Sequence, residues 1–286
     1  MTALSPAGPL LPAERPDGDK TRSAGPPFVE SVRRALRILR CFSLETAELG
    51  VSDIARQLGM HKSTVYRLLG TMEAEGFVHQ IDTGRYVLGW RLFELGGAVK
   101  GWSSTRTVVT RHLASLVAAT SETAHLAVFD EGSVLYIEKV ESTRPLRMPS
   151  AVGKRVPAHC TALGKVFLAN LAPQESLSAI RRPLARYTPK TIVDPDRLRE
   201  ELETVRVEGY AVDREEMEEG LMCLAAPICD DRGAVAAAIS ISGPSSRIEP
   251  RLAAHVESIR AASSALSAEL GAAARALGDL GSPSHP

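Results

Sequence analysis

Residues 51–70, VSDIARQLGMHKSTVYRLLG, decide the fold of the N-terminal part of the chain. Apolar residues recur every three or four positions on both sides of Gly59, and glycine commonly ends a helix. We therefore predict a short helix, a tight turn, and a second helix that runs from Lys62 to about Glu75. The side chains expected to face inward are Ile54, Ala55, Leu58, Val65, Leu68, Leu69 and Met72. This arrangement is a helix-turn-helix.

The flanking residues extend this motif at both ends. Before it, a helix is predicted from Phe28, capped by Ser31, with a buried stripe of apolar residues at helical spacing. The members of that stripe are Val32, Ala35, Leu36, Leu39 and Phe42. After it, residues 77–81 and 85–88 flank Asp82-Thr83-Gly84, a pattern typical of a hairpin. Residues 28–90 are therefore predicted to form a winged helix-turn-helix.

The second helix of the motif carries the residues expected to read DNA, because this helix enters the major groove with its N-terminal end. Arg67 is the best candidate for a bidentate bond to guanine, and Arg85 at the wing tip is placed to reach the DNA backbone or minor groove. The remaining expected contacts come from Lys62, Ser63, Thr64 and Tyr66. The alternative is a three-helix module whose polar face is only solvated.

The overall composition neither supports nor excludes DNA as the partner. The 286 residues carry 34 Lys and Arg against 34 Asp and Glu, and residues 28–90 carry eight basic and seven acidic side chains. That balance excludes a basic coating protein, but a small basic face can lie within a neutral whole. Four scattered cysteines imply no disulfide framework. Since no apolar run resembles a membrane span or a signal peptide, a cytoplasmic protein without a membrane partner is expected.

The rest of the chain is predicted to form a linker and a second domain. Residues 1–27 are expected to be a disordered leader, residues 91–104 a linker helix, and residues 275–286 a flexible tail. Residues 105–274 contain runs of strands with helices at both ends, which favours an α+β domain on a largely antiparallel sheet. Strands are predicted at 124–129, 134–140, 210–214, 221–228 and 235–242, and helices at 108–118, 162–170, 173–180, 195–207 and 250–270.

Several motifs resemble the IclR family of bacterial transcriptional regulators. They are Ala35–Leu39, Val51–Ala55, Lys62–Leu69, Gly84–Gly89, Pro157–Lys165, Gly209–Glu216 and Cys223–Ile228, in one register over residues 28–270. The resemblance implies a DNA-binding N-terminal domain, a linker helix, and a GAF-like C-terminal domain for effector binding and oligomerisation. It also implies a homodimer or a dimer of dimers, which suits a palindromic operator in double-stranded DNA.

The resemblance further implies an effector pocket between the helix that starts near residue 162 and the late strands. Its polar lining would be the amides of Thr161 and Ala162 and the side chains of Asp213, Cys223, Ser240 and Ser242. Amides at a helix start favour a carboxylate, and residues two apart on a strand share a face. Met148, Val156 and Leu221 could supply an apolar wall. In the alternative interpretation the serines face solvent and Cys223 is a buried apolar residue.

Three rival functions are weaker. A cysteine enzyme would need His159 to reach the Cys160 thiol, but neighbours on an extended chain point apart. A zinc site that also used Asp213 and Cys223 lacks the usual ligand spacing. A purely architectural DNA protein would not need so long a C-terminal domain. Because the enzyme and zinc alternatives are also weak, we expect no enzymatic activity, cofactor or metal. The resemblance to the IclR family implies a repressor of a catabolic operon that responds to a small organic acid, with an activator or dual regulator as the alternative.

Overall fold

The structure is a computed structural model that describes residues 28–99, 102–144, 150–180 and 183–281. The predicted leader, residues 1–27, lies outside the described residues. The chain divides into two compact units, residues 1–99 and 100–286, and each is described by itself. Among the described residues, no helix is long and apolar enough to cross a membrane.

The N-terminal unit contains helices followed by a two-stranded antiparallel hairpin and one further helix. Its elements are α1 (Glu30–Leu39), α2 (Val51–Leu58), α3 (Lys62–Ala74), β1 (Val78–Gln80), β2 (Tyr86–Leu88) and α4 (Trp90–Gly97). Ile38, Ile54 and Leu69 bring α1, α2 and α3 into one buried core, which Tyr86 of the hairpin joins. Burial of these apolar side chains is the main stabilising term of so small a unit. The predicted winged helix-turn-helix is confirmed.

Helix α1 differs from its prediction in its start and at two residues of the predicted stripe, whereas Ala35, Leu39 and Phe42 pack in the core as predicted. It begins at Glu30 with Val29 in the cap position, and no side chain caps it, so the prediction of Ser31 as the cap is wrong. Val32 and Leu36 are 55% and 56% exposed, whereas Ile38 is fully buried. The helix carries apolar residues on two faces, and spacing alone could not tell which face meets the core.

The C-terminal unit is a six-stranded antiparallel sheet with helices on both faces. Its elements are α5 (Trp102–Thr120), β3 (Thr123–Asp130), β4 (Ser133–Val140), β5 (Arg155–Pro157), α6 (Ala162–Asn170), α7 (Pro173–Ile180), α8 (Pro195–Glu208), β6 (Ala211–Arg214), β7 (Leu221–Cys229), β8 (Val235–Pro244), α9 (Ser245–Ile248), a 3-10 turn (Glu249–Arg251), α10 (Leu252–Leu270) and α11 (Ala272–Gly281). The strand order is β5-β4-β3-β8-β7-β6. The predicted α+β class with a largely antiparallel sheet is confirmed.

Two apolar cores lie on opposite faces of this sheet. On one face α5, α10 and α11 pack on alternate residues of the central strands, such as Leu126, Leu224 and Ile239. On the other face α6, α7 and α8 pack on the intervening residues, such as Ala127 and Ala225. Side chains of a strand alternate between faces, so each central strand serves both cores and reads as an almost continuous apolar run.

The predicted linker helix, residues 91–104, corresponds to parts of two helices. Helix α4 ends at Gly97 in the N-terminal unit, and α5 begins at Trp102 in the C-terminal unit. Consecutive glycines at 96 and 97 disfavour a continuing helix because glycine loses the most backbone freedom. The prediction of one helix across this region is therefore wrong.

The predicted flexible tail is also corrected over most of its length. Residues 275–281 belong to α11, and residues 282–286 lie outside the described part of the chain. Leu277 is buried in the core shared with α5 and α10, and Arg275 forms an ion pair with Asp231. Alanine-rich sequence favours a helix, and one apolar residue per turn is enough to hold it on the sheet.

Candidate nucleic-acid interface and effector pocket

Helix α3 separates an apolar face from an exposed polar face. Val65, Leu69 and Met72 are buried against α1 and α2. The side chains predicted to meet DNA lie on the other faces, where Lys62, Ser63, Tyr66 and Arg67 are exposed and Thr64 is half-buried. Tyr66 is 63% exposed although it is a large aromatic residue, which marks a surface available to a partner.

The charge at the start of α3 is uncompensated. Within the described residues, the side chains of Lys62 and Arg67 have neither an ion pair nor a hydrogen bond. His61 occupies the cap position without a side-chain hydrogen bond to the first turn. The first amides of a helix lack intrahelical acceptors and carry a partial positive charge, so this end of α3 suits a phosphate oxygen.

Arg85 has partners inside the N-terminal unit. Its Nη2 donates to the carbonyl oxygen of Glu48 at 2.7 Å and lies 3.4 Å from Oδ2 of Asp53. These contacts hold the second wing strand to the start of α2. Contact between Arg85 and DNA stays a prediction, and it requires the guanidinium to serve both partners or to exchange one for the other.

The polar residues predicted for the pocket converge in the C-terminal unit. Strand register aligns Asp213 with Cys223, Cys223 with Ser242, and Ser242 with Thr123, across β6, β7, β8 and β3. We call these four residues the polar row. Residues paired directly on neighbouring strands project to the same face, which here is the face covered by α6. Ser240 lies two positions from Ser242, so it shares this face.

Helix α6 closes the pocket side of the sheet. The hydroxyl of Thr161 accepts from the amide of Gly164 at 3.2 Å and donates to the carbonyl of Pro157 at 2.7 Å, which fixes the helix start. A Cβ atom at residue 164 would overlap the backbone of Ala158. Only glycine therefore allows this close approach, which places Thr161 and Ala162 at the buried N-terminus of α6.

Asp213 lies at the end of the polar row in a nearly water-free environment. The carboxylate is 1% exposed and its Oδ1 accepts from the amide of Glu216 at 2.7 Å. Burial raises the pKa of Asp213 to about 7, although that hydrogen bond favours the charged form. Asp213 can therefore change its charge near neutral pH.

A buried lysine stands behind this carboxylate. Lys165 of α6 is fully buried, and its Nζ donates to Glu216 at 2.5 Å, to Glu201 at 2.9 Å and to the carbonyl of Val212 at 3.0 Å. Burial raises the pKa of Glu216, and the ammonium of Lys165 opposes that shift. All three donor positions of Lys165 are used, so it acts as a brace between α6, α8 and the segment after β6.

Three residues that the sequence prediction missed lie beside the residues of the predicted pocket. His125 pairs with Ser240 across β3 and β8, its Nε2 is 2.7 Å from Oγ of Ser150, and its ring centroid is 4.8 Å from that of Tyr136. Burial, aided by the ammonium of Lys139, lowers the pKa of His125 to about 3, so the imidazole is neutral. Alternation in β3 would have suggested His125 had the pairing with β8 been known.

Two buried polar atoms on the face of the polar row have no partner in the described part of the chain. They are Nδ1 of His125 and Oγ of Ser242. A buried polar group without a hydrogen bond costs about 1–3 kcal/mol. A polar ligand that satisfied both atoms would recover this free energy.

Two of the three residues predicted to form the apolar wall lie within the described residues. Leu221 is buried two positions before Cys223 on β7, and Val156 is buried opposite Val134 on β5. Both lie on the α6 face of the sheet, by the alternation of their strands. Met148 lies outside the described residues.

His159 and Cys160, the pair that the rival cysteine enzyme would need, contact different partners. Nε2 of His159 is 2.9 Å from the carbonyl oxygen of Ala185, and the Cys160 thiol instead contacts the sulfur of Met217 at 3.8 Å. Burial raises the pKa of Cys160, which disfavours the reactive thiolate. No group of three or more His, Cys, Asp or Glu in the described residues could hold a metal ion.

Family models match both units. The model of the bacterial transcriptional regulator IclR C-terminal domain matches residues 103–268, and that of the IclR helix-turn-helix domain matches residues 31–82. This chain belongs to the IclR family of bacterial transcriptional regulators. The resemblance inferred from the sequence motifs is confirmed. IclR-family regulators bind DNA through the helix-turn-helix domain and small-molecule effectors in the C-terminal domain.

The similarity of this chain to individual relatives extends over most of the length of each relative. The HTH-type transcriptional regulator XynR of Escherichia coli K12 is 37% identical over 249 residues, 86% of this chain and 98% of XynR. The transcriptional repressor IclR of the same organism is 36% identical over 245 residues, 83% of this chain and 89% of that protein. The crystal structure of an IclR homolog from Microbacterium hydrocarbonoxydans complexed with 4-hydroxybenzoate has a TM-score of 0.75 at 29% identity, covering 84% of this chain and 98% of that one.

Proposed function

We propose that this IclR-family regulator is a cytoplasmic repressor of a catabolic operon whose operator affinity changes when a small organic acid fills the pocket beside the polar row. The observation that carries this proposal is the pair of buried atoms without partners, Nδ1 of His125 and Oγ of Ser242. An apolar site with a few convergent polar groups is typical of small-molecule binding.

Helix α3 supports the DNA half of the proposal. Its first turn offers Lys62, Ser63 and Thr64 for phosphate contacts, and Arg67 one turn later for base edges. Arginine can make two parallel hydrogen bonds to guanine, which discriminates between base pairs. We infer sequence-specific binding in the major groove.

Exposed apolar side chains of the N-terminal unit support a second copy of the chain as partner. In α1 they include Val32 and Leu36, and in α4 they include Trp90 and Phe93, which pack edge to face at 6.2 Å. Apolar patches of this kind usually mark interfaces in proteins. We infer a homodimer on a palindromic operator, with a dimer of dimers as the larger form. A monomeric mass at concentrations that bind operator would contradict this inference.

Two relatives support repression as the mode of regulation and an organic acid as the ligand class. E. coli IclR is named a repressor, and the Microbacterium homolog holds 4-hydroxybenzoate. The buried N-terminus of α6 favours a carboxylate because its free amide groups and the helix dipole attract negative charge. A ligand that binds one arrangement of the protein better than another favours that arrangement and so changes operator affinity. The size of the change is set by the difference between the ligand's binding free energies for the two arrangements, ordinarily about 1–3 kcal/mol.

Removal of two hydroxyl groups should abolish the effector response without affecting DNA binding. We expect the combined Ser240→Ala and Ser242→Ala variant to bind DNA normally and to lose the response to the acid that acts on wild type. Thermal shift with a panel of acids that includes 4-hydroxybenzoate, glyoxylate and gluconate would identify that acid. Gel shifts with and without it then measure the response.

Ser263→Ala is the matched control for this experiment. Ser263 is a buried serine on α10, and its hydroxyl donates to the carbonyl of Pro227 at 2.6 Å. It belongs to the opposite face of the sheet, so its loss should leave the effector response intact. A normal response in the double serine variant would place the pocket elsewhere.

The charge of Asp213 should make binding of an organic acid depend on pH. A carboxylate ligand is ionised throughout the neutral range, and the pKa of Asp213 near 7 means that the residue repels it above neutrality. If only the protonated form binds, affinity should fall roughly tenfold between about pH 6 and pH 8. Titration calorimetry across this range measures the change.

The Asp213→Asn variant isolates that effect from the other groups nearby. Glu216, Lys165, Cys160 and Cys223 remain in place, and the asparagine oxygen can still accept from the Glu216 amide. We expect tight binding at all these pH values. An unchanged tenfold fall in this variant would show that another group titrates.

A further inference from the structure

A second cleft lies in the C-terminal unit, on the face of the sheet that α5 and α10 cover, opposite the polar row. It has a volume of about 220 Å³ and opens where the end of α5 meets the start of α10. Arg144, Arg247, Arg251 and His255 line it, together with Glu122. We propose that this cleft binds a small dianion, with inorganic phosphate as the simplest case, at a site separate from the effector pocket.

The charge of the cleft favours an anion. Three guanidinium groups face a single carboxylate, that of Glu122, which is 3% exposed on its side chain. Both oxygens of that carboxylate are used by Arg247, at 2.8 Å from Nε and 2.5 Å from Nη2. Glu122 therefore neutralises one arginine and leaves the charge of the other two uncompensated.

Arg144 and Arg251 carry that remaining charge. Both are exposed, and among the described residues neither side chain has an ion pair or a hydrogen bond. Guanidinium groups match phosphate and carboxylate oxygens with two parallel hydrogen bonds. Two such groups in one cleft provide about two positive charges, which matches a dianion better than a monoanion.

His255 supplies an independent observation. The residue is 4% exposed, it lines the cleft, and within the described chain its ring makes no hydrogen bond. Burial lowers the pKa of His255, so the imidazole is neutral and can donate one N–H without needing a counterion. The ring nitrogens of His255 are open to the cleft, so an oxygen of a bound anion can replace water as their partner.

A close backbone contact positions Glu122 in the cleft. A Cβ atom at residue 243 would overlap the Glu122 carboxylate, so Gly243 of β8 allows that carboxylate to lie against the strand and hold Arg247. An anion between Arg144 and Arg251 would join the segment after β4 to the start of α10. Bound phosphate should therefore stabilise the C-terminal unit.

Thermal stability in phosphate tests this proposal on the full chain. At constant ionic strength, phosphate should raise the melting temperature of wild type above that in acetate or chloride. Arg251→Ala should weaken phosphate binding at least tenfold, and the combined Arg144→Ala and Arg251→Ala variant should lose it. Arg232→Ala removes another exposed arginine of the same unit and should bind phosphate like wild type.

The effector-pocket variants separate this site from the proposed function. The Ser240→Ala and Ser242→Ala variant should retain phosphate binding even though it loses the acid response. Phosphate stabilisation that persists without Arg144 and Arg251 would overturn the proposal, as would the absence of any effect in wild type. Loss of non-specific DNA affinity in the double arginine variant, with no phosphate effect, would instead identify a DNA contact and also overturn it.

Discussion

Replacement of Lys165 with Met should destabilise the C-terminal unit by about 3–5 kcal/mol, because it leaves a buried carboxylate without its partner. Met fills nearly the same volume as the lysine stem but donates no hydrogen bond. Glu216 is 4% exposed, and its Oε2 already lacks a partner within the described residues. The variant must therefore either bury a charge or take up a proton.

The urea dependence of Trp102 fluorescence measures this loss. Trp102 belongs to the C-terminal unit, and a Trp90→Phe background removes the only other tryptophan, which is 83% exposed. Lys190→Met is the matched control, because Lys190 pairs with Glu215 at 3.1 Å on the surface. Loss of that exposed pair should cost less than about 1 kcal/mol.

A second variant tests the cause. Glu216→Gln placed in the Lys165→Met background removes the stranded charge, so the double variant should be more stable than Lys165→Met alone. Equal losses for Lys165→Met and Lys190→Met would contradict the role of Lys165 as a buried brace.

Elements with local signals could be predicted almost to the residue. Helices α6 and α7 have the predicted bounds, and α8 begins at Pro195 after Asp194, whose side chain accepts from two amides of the first turn. Caps and prolines act on neighbouring residues, so one sequence contains the whole cause. The strands of the sheet also follow from their apolar runs and turns.

Features that depend on distant contacts could not be predicted in this way. The buried side of α1 depends on what α2 and α3 present to it, and Val32 and Ile38 are equally apolar candidates. Helix α11 was missed because its buried face consists of small alanines and one leucine, Ala274 and Leu277 among them, which is a weak apolar signal in sequence. The short edge strand β5 was missed for a similar reason, since three residues carry almost no periodicity.

The same distinction between local signals and distant contacts applies to the residues of the predicted pocket. The resemblance to the family suggested Asp213, Cys223, Ser240 and Ser242, and strand alternation added only that the two serines share a face. The inclusion of His125 depends on the pairing of β3 with β8, which joins residues more than one hundred positions apart. Lys165 within the family motif gave no sign that its ammonium would be buried between two glutamates.

Arg67→Ala should produce the largest functional effect, a loss of specific operator binding with folding intact. Each contact between this arginine and a base pair contributes about 1–3 kcal/mol, and a dimer on a palindromic site loses it twice, about 2–6 kcal/mol in all. Operator affinity should therefore fall roughly 30-fold or more. The operator can be enriched from a random-sequence duplex library with wild-type protein, and gel shifts then give both affinities.

Arg56→Ala provides the matched control, because it removes the same charge from the neighbouring helix. The Arg56 side chain is 78% exposed and lies 3.2 Å from Asp53, so its loss should not disturb the fold. A phosphate contact adds equally to specific and non-specific binding, whereas a base contact adds only to the specific complex. Arg67→Ala should therefore reduce the ratio of operator affinity to scrambled-duplex affinity, and Arg56→Ala should leave that ratio unchanged. If both variants weaken the two duplexes to the same extent, Arg67 reads the backbone rather than the sequence.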